Sequence, residues 1–253
     1  YEQGADELIY MDAVASLYGR NSLLDIVERT SREIFIPLTV GGGLRSLDDI
    51  RLALRSGADK VSLNTAAIAR PELITEASRA FGSSTIVVSI EAQRKPDGSY
   101  EAYVNYGRDH SGVDAIEWAV RATELGAGEL MVTSINQDGT GRGFDVGLIR
   151  RIADRVAVPV IAGGGAGSAD DVTRVLADGD VRAVALASIL HYDALEHGRD
   201  AASDFSAEGN LEFLKRGRSL GAVKNTSIPT IKSVAAAAGW PCRMTGEQGA
   251  HVR

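Results

Sequence analysis

The sequence predicts an α/β protein, most of a parallel (β/α)8 barrel, and three observations lead there. Short apolar segments alternate with amphipathic ones along the chain. The apolar segments run nearly unbroken, as parallel strands buried on both faces do. The chain also answers itself across a long interval.

Seven segments read as strands: residues 7–13 (ELIYMDA), 37–41 (PLTVG), 60–65 (KVSLNT), 85–91 (TIVVSIE), 129–135 (ELMVTSI), 159–163 (PVIAG) and 182–188 (RAVALAS). Between them lie amphipathic stretches such as 23–33, 47–56, 115–125 and 169–177. Strand, helix and strand in alternation mean βαβ units and a parallel sheet.

The internal repeat sets the architecture. Pro37, Leu38, Thr39, Val40, Gly41, Gly42 and Gly43 are answered 122 positions on by Pro159, Val160, Ile161, Ala162, Gly163, Gly164 and Gly165. At that spacing Glu7 meets Glu129, Leu8 meets Leu130, Asp49 meets Asp171 and Gly57 meets Gly179. One residue further out of step, Val61-Ser62-Leu63-Asn64-Thr65 meets Val184-Ala185-Leu186-Ala187-Ser188. Solenoid repeats run to about 20–50 residues, so this is a doubled half-barrel instead. Four βα units per half fit a barrel of about 250 residues. The first half shows three units before Thr85 where the repeat requires four. The expectation is a barrel whose first βα unit lies upstream of this chain, with Tyr1–Ala5 as the tail of that unit's helix. Residues 1–253 are expected to be one barrel domain, with a helical extension from about residue 194 that includes segments 211–216 and 228–238.

Bulk composition narrows the function. The chain has 253 residues, 44% hydrophobic and 24% charged, with net charge -7. That balance argues against binding nucleic acid by phosphate neutralisation, but leaves room for phosphate pockets built from backbone N–H groups. Cys242 is the single cysteine, so neither an internal disulfide nor a cysteine metal cluster can form. No metal or cofactor is expected, and a reducing, cytoplasmic setting fits. No apolar run nears the roughly 20 residues that span a bilayer.

Chemistry-bearing residues gather at strand ends. Gly41-Gly42-Gly43 and Gly163-Gly164-Gly165 each follow a buried strand and precede a helix, where backbone and helix N-terminus favour an anion. Asn64-Thr65 and Ala187-Ser188 end the next strand in each half. Two matched sets of this kind suggest a ligand with a phosphate at each end. Asp12 and Glu91 are carboxylates at C-terminal strand ends, and Asp138 lies just beyond one. In this fold such groups face the active-site mouth, where they can serve as general acid or base. Asp138-Gly139-Thr140 also reads as a capped turn. Glu7, Lys60 and Glu129 begin strands at the opposite end. They are either solvated rim charges or a gate into the barrel.

Together these motifs resemble the cyclase subunits of imidazole glycerol phosphate synthases, a TIM-barrel family of histidine biosynthesis. The likeness runs from about Gly4 to about Tyr192. It is carried by Asp6-Glu7-Leu8 with Asp12, Thr39 to Gly43, Gly57 to Ser62 with Asn64-Thr65-Ala66-Ala67, Gly126 to Glu129, Thr133-Ser134-Ile135 with Asp138-Gly139-Thr140, and Gly163 to Gly167. The Asn64 to Ala67 run and a long polar insertion at 93–112 favour this family over its sister isomerase. The resemblance implies a heterodimer in which ammonia from a glutaminase subunit enters at the barrel bottom. At the top it would convert a bisphosphorylated ribulosyl aminoimidazole nucleotide into imidazole glycerol phosphate and aminoimidazole carboxamide ribotide.

Position by position, the resemblance implies roles. Gly42, Gly43, Asn64 and Thr65 would hold one phosphate. Asp138, Gly139, Gly164, Gly165, Ala187 and Ser188 would hold the other. Glu7, Lys60 and Glu129 would be three of four gate charges, and Asp12 a residue of the active-site rim. The family's catalytic pair is an Asp on the first strand, upstream of this chain, and an Asp at the position of Glu91. Glutamate there lengthens the side chain by one methylene. That departure keeps two other readings open: a paralogous barrel delivering ammonia in another amidotransferase pathway, and a weakened barrel that mainly binds the glutaminase.

Overall fold

The computed structural model describes residues 1–12, 24–197, 224 and 226–244. In chain order the elements are β1 (Leu8–Met11), α1 (Leu24–Glu33), β2 (Leu38–Gly41), α2 (Leu47–Arg55), β3 (Lys60–Leu63), α3 (Thr65–Ala69), α4 (Glu72–Phe81), β4 (Ile86–Arg94), β5 (Tyr100–Val104) and β6 (Asp109–Asp114). Then follow α5 (Ala115–Glu124), β7 (Glu129–Ser134), α6 (Val146–Ala153), β8 (Val160–Gly163), α7 (Ala169–Asp178), β9 (Ala183–Ala185), α8 (Ser188–His197) and α9 (Ile228–Ala237). All seven expected strands are present, and they pair in parallel in the order β1-β2-β3-β4-β7-β8-β9.

The sheet is strongly curled. Four strand spacings separate β1 from β7, roughly 19 Å on a flat sheet. Yet Glu7, just before β1, and Glu129, opening β7, both reach the ammonium of Lys60 on β3, at 3.1 and 2.7 Å. The face carrying Lys60 is therefore the concave inside. Alternation along each strand sends the neighbouring residues outward to the helices. Tyr10 marks that outer face, with its hydroxyl 3.1 Å from Thr30 Oγ1 of α1. Among the described residues β1 pairs only with β2 and β9 only with β8, so the arc stays open on that side.

The core lies between sheet and helices. Leu38, Val40, Val61, Leu63, Ile86, Val88, Ile90, Leu130 and Val132 point outward and are fully covered. They meet Ile50 and Ala53 of α2, Leu73, Ile74 and Ala77 of α4, and Leu148, Ile149 and Ile152 of α6. Burying one such Leu or Ile is worth about 1.5–3 kcal/mol. The helices start where the sequence caps them. Ser46 and Asp49 form a reciprocal capping box at α2, Asp114 caps α5, Asp145 caps α6 and Ser168 caps α7.

Three local features correct, extend or bear out the expectation. Residues 1–4 make a single turn closed by Gly4 N–H on the Tyr1 carbonyl, not a helix. The polar insertion is a β-structure: β4 runs on to Arg94 and pairs antiparallel with β5, which pairs with β6. Tyr100 and Ala102 of that hairpin enter the core. The helical candidate at 228–238 is α9, packed on α7; the candidate at 211–216 lies outside the described residues. α9 is tied to the chain start through Lys232, which donates to Asp6 Oδ1 at 2.6 Å and to the Arg243 carbonyl at 2.9 Å.

Candidate functional site

At the bottom of the barrel Lys60 bridges Glu7 and Glu129. Burial alone would make the ammonium easier to deprotonate, but the hydrogen bonds and charges of Glu129 and Glu7 outweigh it, and the Lys60 pKa is raised. The strand-start charges are thus one linked cluster rather than separate rim groups. Above it the inner face mixes small and polar residues with larger apolar ones. Register places Gly41, Ser62 and Val87 side by side, then Ser89, Met131 and Ile161. Ser62 and Ser89 are almost fully buried, and neither hydroxyl has a hydrogen-bond partner.

At the top Glu91 points inward from β4, level with Thr133 of β7. Asn64 Nδ2 donates to Glu91 Oε2 at 3.1 Å. Its pKa is raised to about 7: burial dominates, the Gly107 N–H opposes it, and the Asp138 charge adds to the rise. Loss of solvation penalises the charged form more than two donors stabilise it. A carboxyl poised near neutral pH can both accept and return a proton.

The two glycine runs occupy equivalent places. Gly42 and Gly43 take φ of 97° and 73°, Gly164 and Gly165 of 79° and 105°. A Cβ on Gly42 would lie 2.4 Å from the Asp12 carbonyl oxygen, and one on Gly164 would lie 3.1 Å from that of Ser134. These glycines precede helices, as the sequence suggested, but do not open them: α2 and α7 begin four residues after Gly43 and Gly165, at Leu47 and Ala169. Their first N–H groups are already capped by Ser46 with Asp49 and by Ser168 with Asp171. Asn64 and Thr65 likewise do not end a strand: β3 stops at Leu63 and Thr65 opens α3. Ala187 and Ser188 stand at the start of α8 in the same way, with the Ala187 carbonyl accepting from His191 N–H at 2.9 Å.

The remaining acidic residues fall at the same end. Asp12 follows β1, its N–H on the Gly41 carbonyl at 3.0 Å. Asp138 is exposed in the turn after β7, its N–H on the Ser134 carbonyl at 2.9 Å, and Gly139 beside it takes φ of 70°. Glu91, Asn64, Thr65 and Asp138 therefore converge. The hairpin adds residues that the sequence did not single out. Asn105 N–H donates to Thr65 Oγ1 at 2.9 Å, Gly107 N–H bonds Glu91, and Tyr106 lies between those two residues in the chain. The signal was faint: an Asn and a Gly flank an aromatic residue in a polar stretch.

A curled parallel barrel with a charge cluster at one end and a near-neutral carboxyl at the other defines a (β/α)8-barrel enzyme class. Residues 1–196 match the family described as histidine biosynthesis protein. The chain is 47% identical to imidazole glycerol phosphate synthase subunit HisF of Alkaliphilus metalliredigens, over 76% of each chain. It is 50% identical to HisF of Symbiobacterium thermophilum, over 75% of this chain and 74% of that one. Against HisF of Legionella pneumophila it is 53% identical, over 68% of this chain and 81% of that one. The chain belongs to the histidine biosynthesis protein family, within its imidazole glycerol phosphate synthase HisF branch. Among the described residues no cluster of His, Cys, Asp or Glu is placed to hold a metal ion, and no helix is long and apolar enough to cross a membrane.

Proposed function

We propose that this chain is the cyclase subunit of an imidazole glycerol phosphate synthase, a lyase that takes ammonia from a glutaminase subunit. One observation carries the reading: a half-buried carboxyl of pKa about 7 faces the mouth, at the end of the barrel opposite a linked charge cluster. Ammonia enters beside Lys60, Glu7 and Glu129. The unpartnered hydroxyls of Ser62 and Ser89 offer it hydrogen bonds on the way, and Gly41, Gly163, Ala183 and Ala185 keep the inner face small.

At the mouth, ammonia attacks the ribulosyl aminoimidazole nucleotide. As it forms two carbon–nitrogen bonds its protons must leave; the substrate oxygen departs as water, and the bond to the aminoimidazole carboxamide ribotide breaks with its nitrogen taking up a proton. Glu91 serves as the acid–base group for these transfers. Gly42, Gly43, Asn64 and Thr65 hold one phosphate; Asp138, Gly139, Gly164, Gly165, Ala187 and Ser188 hold the other. The Thr65 hydroxyl accepts from Asn105, which leaves its own O–H free to donate to a phosphate. Asp12 borders the mouth.

The test is turnover by the full-length protein, fed the bisphosphorylated nucleotide and an ammonium salt, with complementation of a histidine auxotroph alongside. Formation of imidazole glycerol phosphate is the expected result. Failure of both, with glutaminase binding intact, rules the reading out. Glu91 in place of the family's aspartate favours the second reading, a paralogous barrel that passes ammonia to another phosphorylated acceptor. Glu91→Asp tests whether the barrel is instead a weakened one: unchanged activity shows that the glutamate is not a defect.

A further inference from the structure

The hairpin tip is the most strained segment of the described backbone. Asn105, Tyr106 and Gly107 follow one another at φ of 52°, 62° and 69°. Asn and Gly tolerate the left-handed region; a bulky aromatic residue does not, and such outliers gather at functional sites. The tip is nevertheless tied down on both sides of the tyrosine. Asn105 N–H is held by Thr65 Oγ1, Asn105 Nδ2 donates to Asp109 Oδ2 at 2.6 Å, and Gly107 N–H is held by Glu91. A Cβ built on Gly107 would lie 3.7 Å from Glu91 Oε2, so the tip is at the catalytic carboxyl itself.

These contacts fix the backbone, and none of them uses the Tyr106 side chain. Its phenol makes no hydrogen bond to a described residue, and the ring stays 45% exposed. Partial burial, then the charges of Glu91 and Asp138, push its pKa up, so it remains an O–H donor. Strain is thus accepted at a residue whose side chain makes no hydrogen bond to a described residue and whose phenol feels the charges of Glu91 and Asp138 at the mouth.

We propose that Tyr106 is a substrate-contacting residue, its phenol O–H donating to the part of the bound nucleotide that lies between the two phosphates. This rests on the cyclase reading above. The experiment uses the full-length protein with the bisphosphorylated nucleotide, ammonium chloride as nitrogen donor, and inorganic phosphate as competing inhibitor. Tyr106→Phe is expected to lower kcat/KM about tenfold, the value of one lost hydrogen bond, with the inhibition constant of phosphate within twofold. Tyr106→Gly relieves the backbone; it should lower kcat/KM at least as far while the Tm stays no lower than that of the wild type. A phenylalanine variant within twofold of wild type overturns the assignment alone. So does a glycine variant that loses Tm and phosphate affinity together, since that marks a structural residue. A wild-type protein that does not convert the nucleotide overturns the cyclase reading and this assignment with it.

Discussion

The half-barrel of β1 to β3 and that of β7 to β9 share a skeleton but not a lining. Glu7 and Glu129 occupy equivalent strand starts, and Gly42 and Gly164 equivalent turns. Both acids nevertheless rely on one cation, Lys60, whose counterpart in the second half is Ala183. Ser62 lines the first half where Ala185 lines the second. At the top, Thr65 is covered by the hairpin tip through Asn105, an element that belongs to neither half. Backbone constraints persist through the repeat because a turn geometry has few solutions. Side chains facing the interior diverge because each end of the site has its own task.

The largest effect should come from outside the repeat. If the halves grip and β4 does the chemistry, Glu91→Gln lowers kcat by about 100-fold or more and leaves inhibition by inorganic phosphate within twofold. Loss of phosphate affinity would break that division of labour. The same variant has a signed stability effect. The Glu91 pKa is about 7 when folded, against 4.5 ordinarily. The folded state then holds the proton more tightly, and stability falls as pH rises between those values. Above pH 7 the full cost is present, roughly 3 kcal/mol at most. Urea unfolding should find Glu91→Gln more stable than wild type at pH 8 and equal to it at pH 4. The same difference at both would show that Glu91 is not titrating.

The turns come next. Gly42→Ala and Gly164→Ala both force a side chain into positive φ, but only the first drives Cβ to 2.4 Å from a carbonyl oxygen. Expected losses are about 3 kcal/mol for Gly42→Ala and about 1 kcal/mol for Gly164→Ala. Equal losses would mean that the halves are more alike than their loops suggest.

This is also where the sequence was most legible. Outward Val, Leu and Ile, set by a buried parallel sheet, wrote the strands as apolar runs. Positive φ wrote the glycines. Charges at strand starts stood out because each directly precedes an apolar residue that opens a buried run. The hairpin left no such trace. β6 alternates exposed and half-buried residues, several of them charged, and β5 buries Tyr100 and Ala102 around the charged Glu101. Its tip uses a tyrosine where turn chemistry leads one to look for glycine or asparagine. Ser62 and Ser89 were hidden because a serine within an apolar strand gives no sign of which face it takes until register is known. The helix starts were legible, because Ser46, Asp114 and Ser168 are capping residues directly before amphipathic runs.

Lys60→Met tests the shared cation. It leaves Glu129 and Glu7 without their bridge, and partial exposure of both holds the cost to about 1–2 kcal/mol. Under the proposed function, glutamine-fed turnover in the complex should change several-fold while turnover on added ammonium salt stays within twofold. Equal change in both assays would place Lys60 in the frame of the barrel and not at its entrance.

The smallest effect concerns the hydroxyls of Thr65 and Ser188, proposed to hold the two phosphates. Thr65→Val removes the acceptor for Asn105 N–H, and Ser188→Ala removes a hydroxyl on which no hairpin rests. One hydrogen bond of this kind is worth about 1 kcal/mol, so Thr65→Val should speed amide exchange at Asn105 about fivefold, and Ser188→Ala should leave it unchanged. Because Gly107 of the same tip bonds Glu91, the loosening should reach the carboxyl. With one donor weakened the Glu91 pKa should rise further above 7, and the acid limb of the kcat/KM profile should move to higher pH in Thr65→Val alone. A matching shift in Ser188→Ala would mean that both halves couple to the carboxyl, and that the hairpin is not what sets them apart.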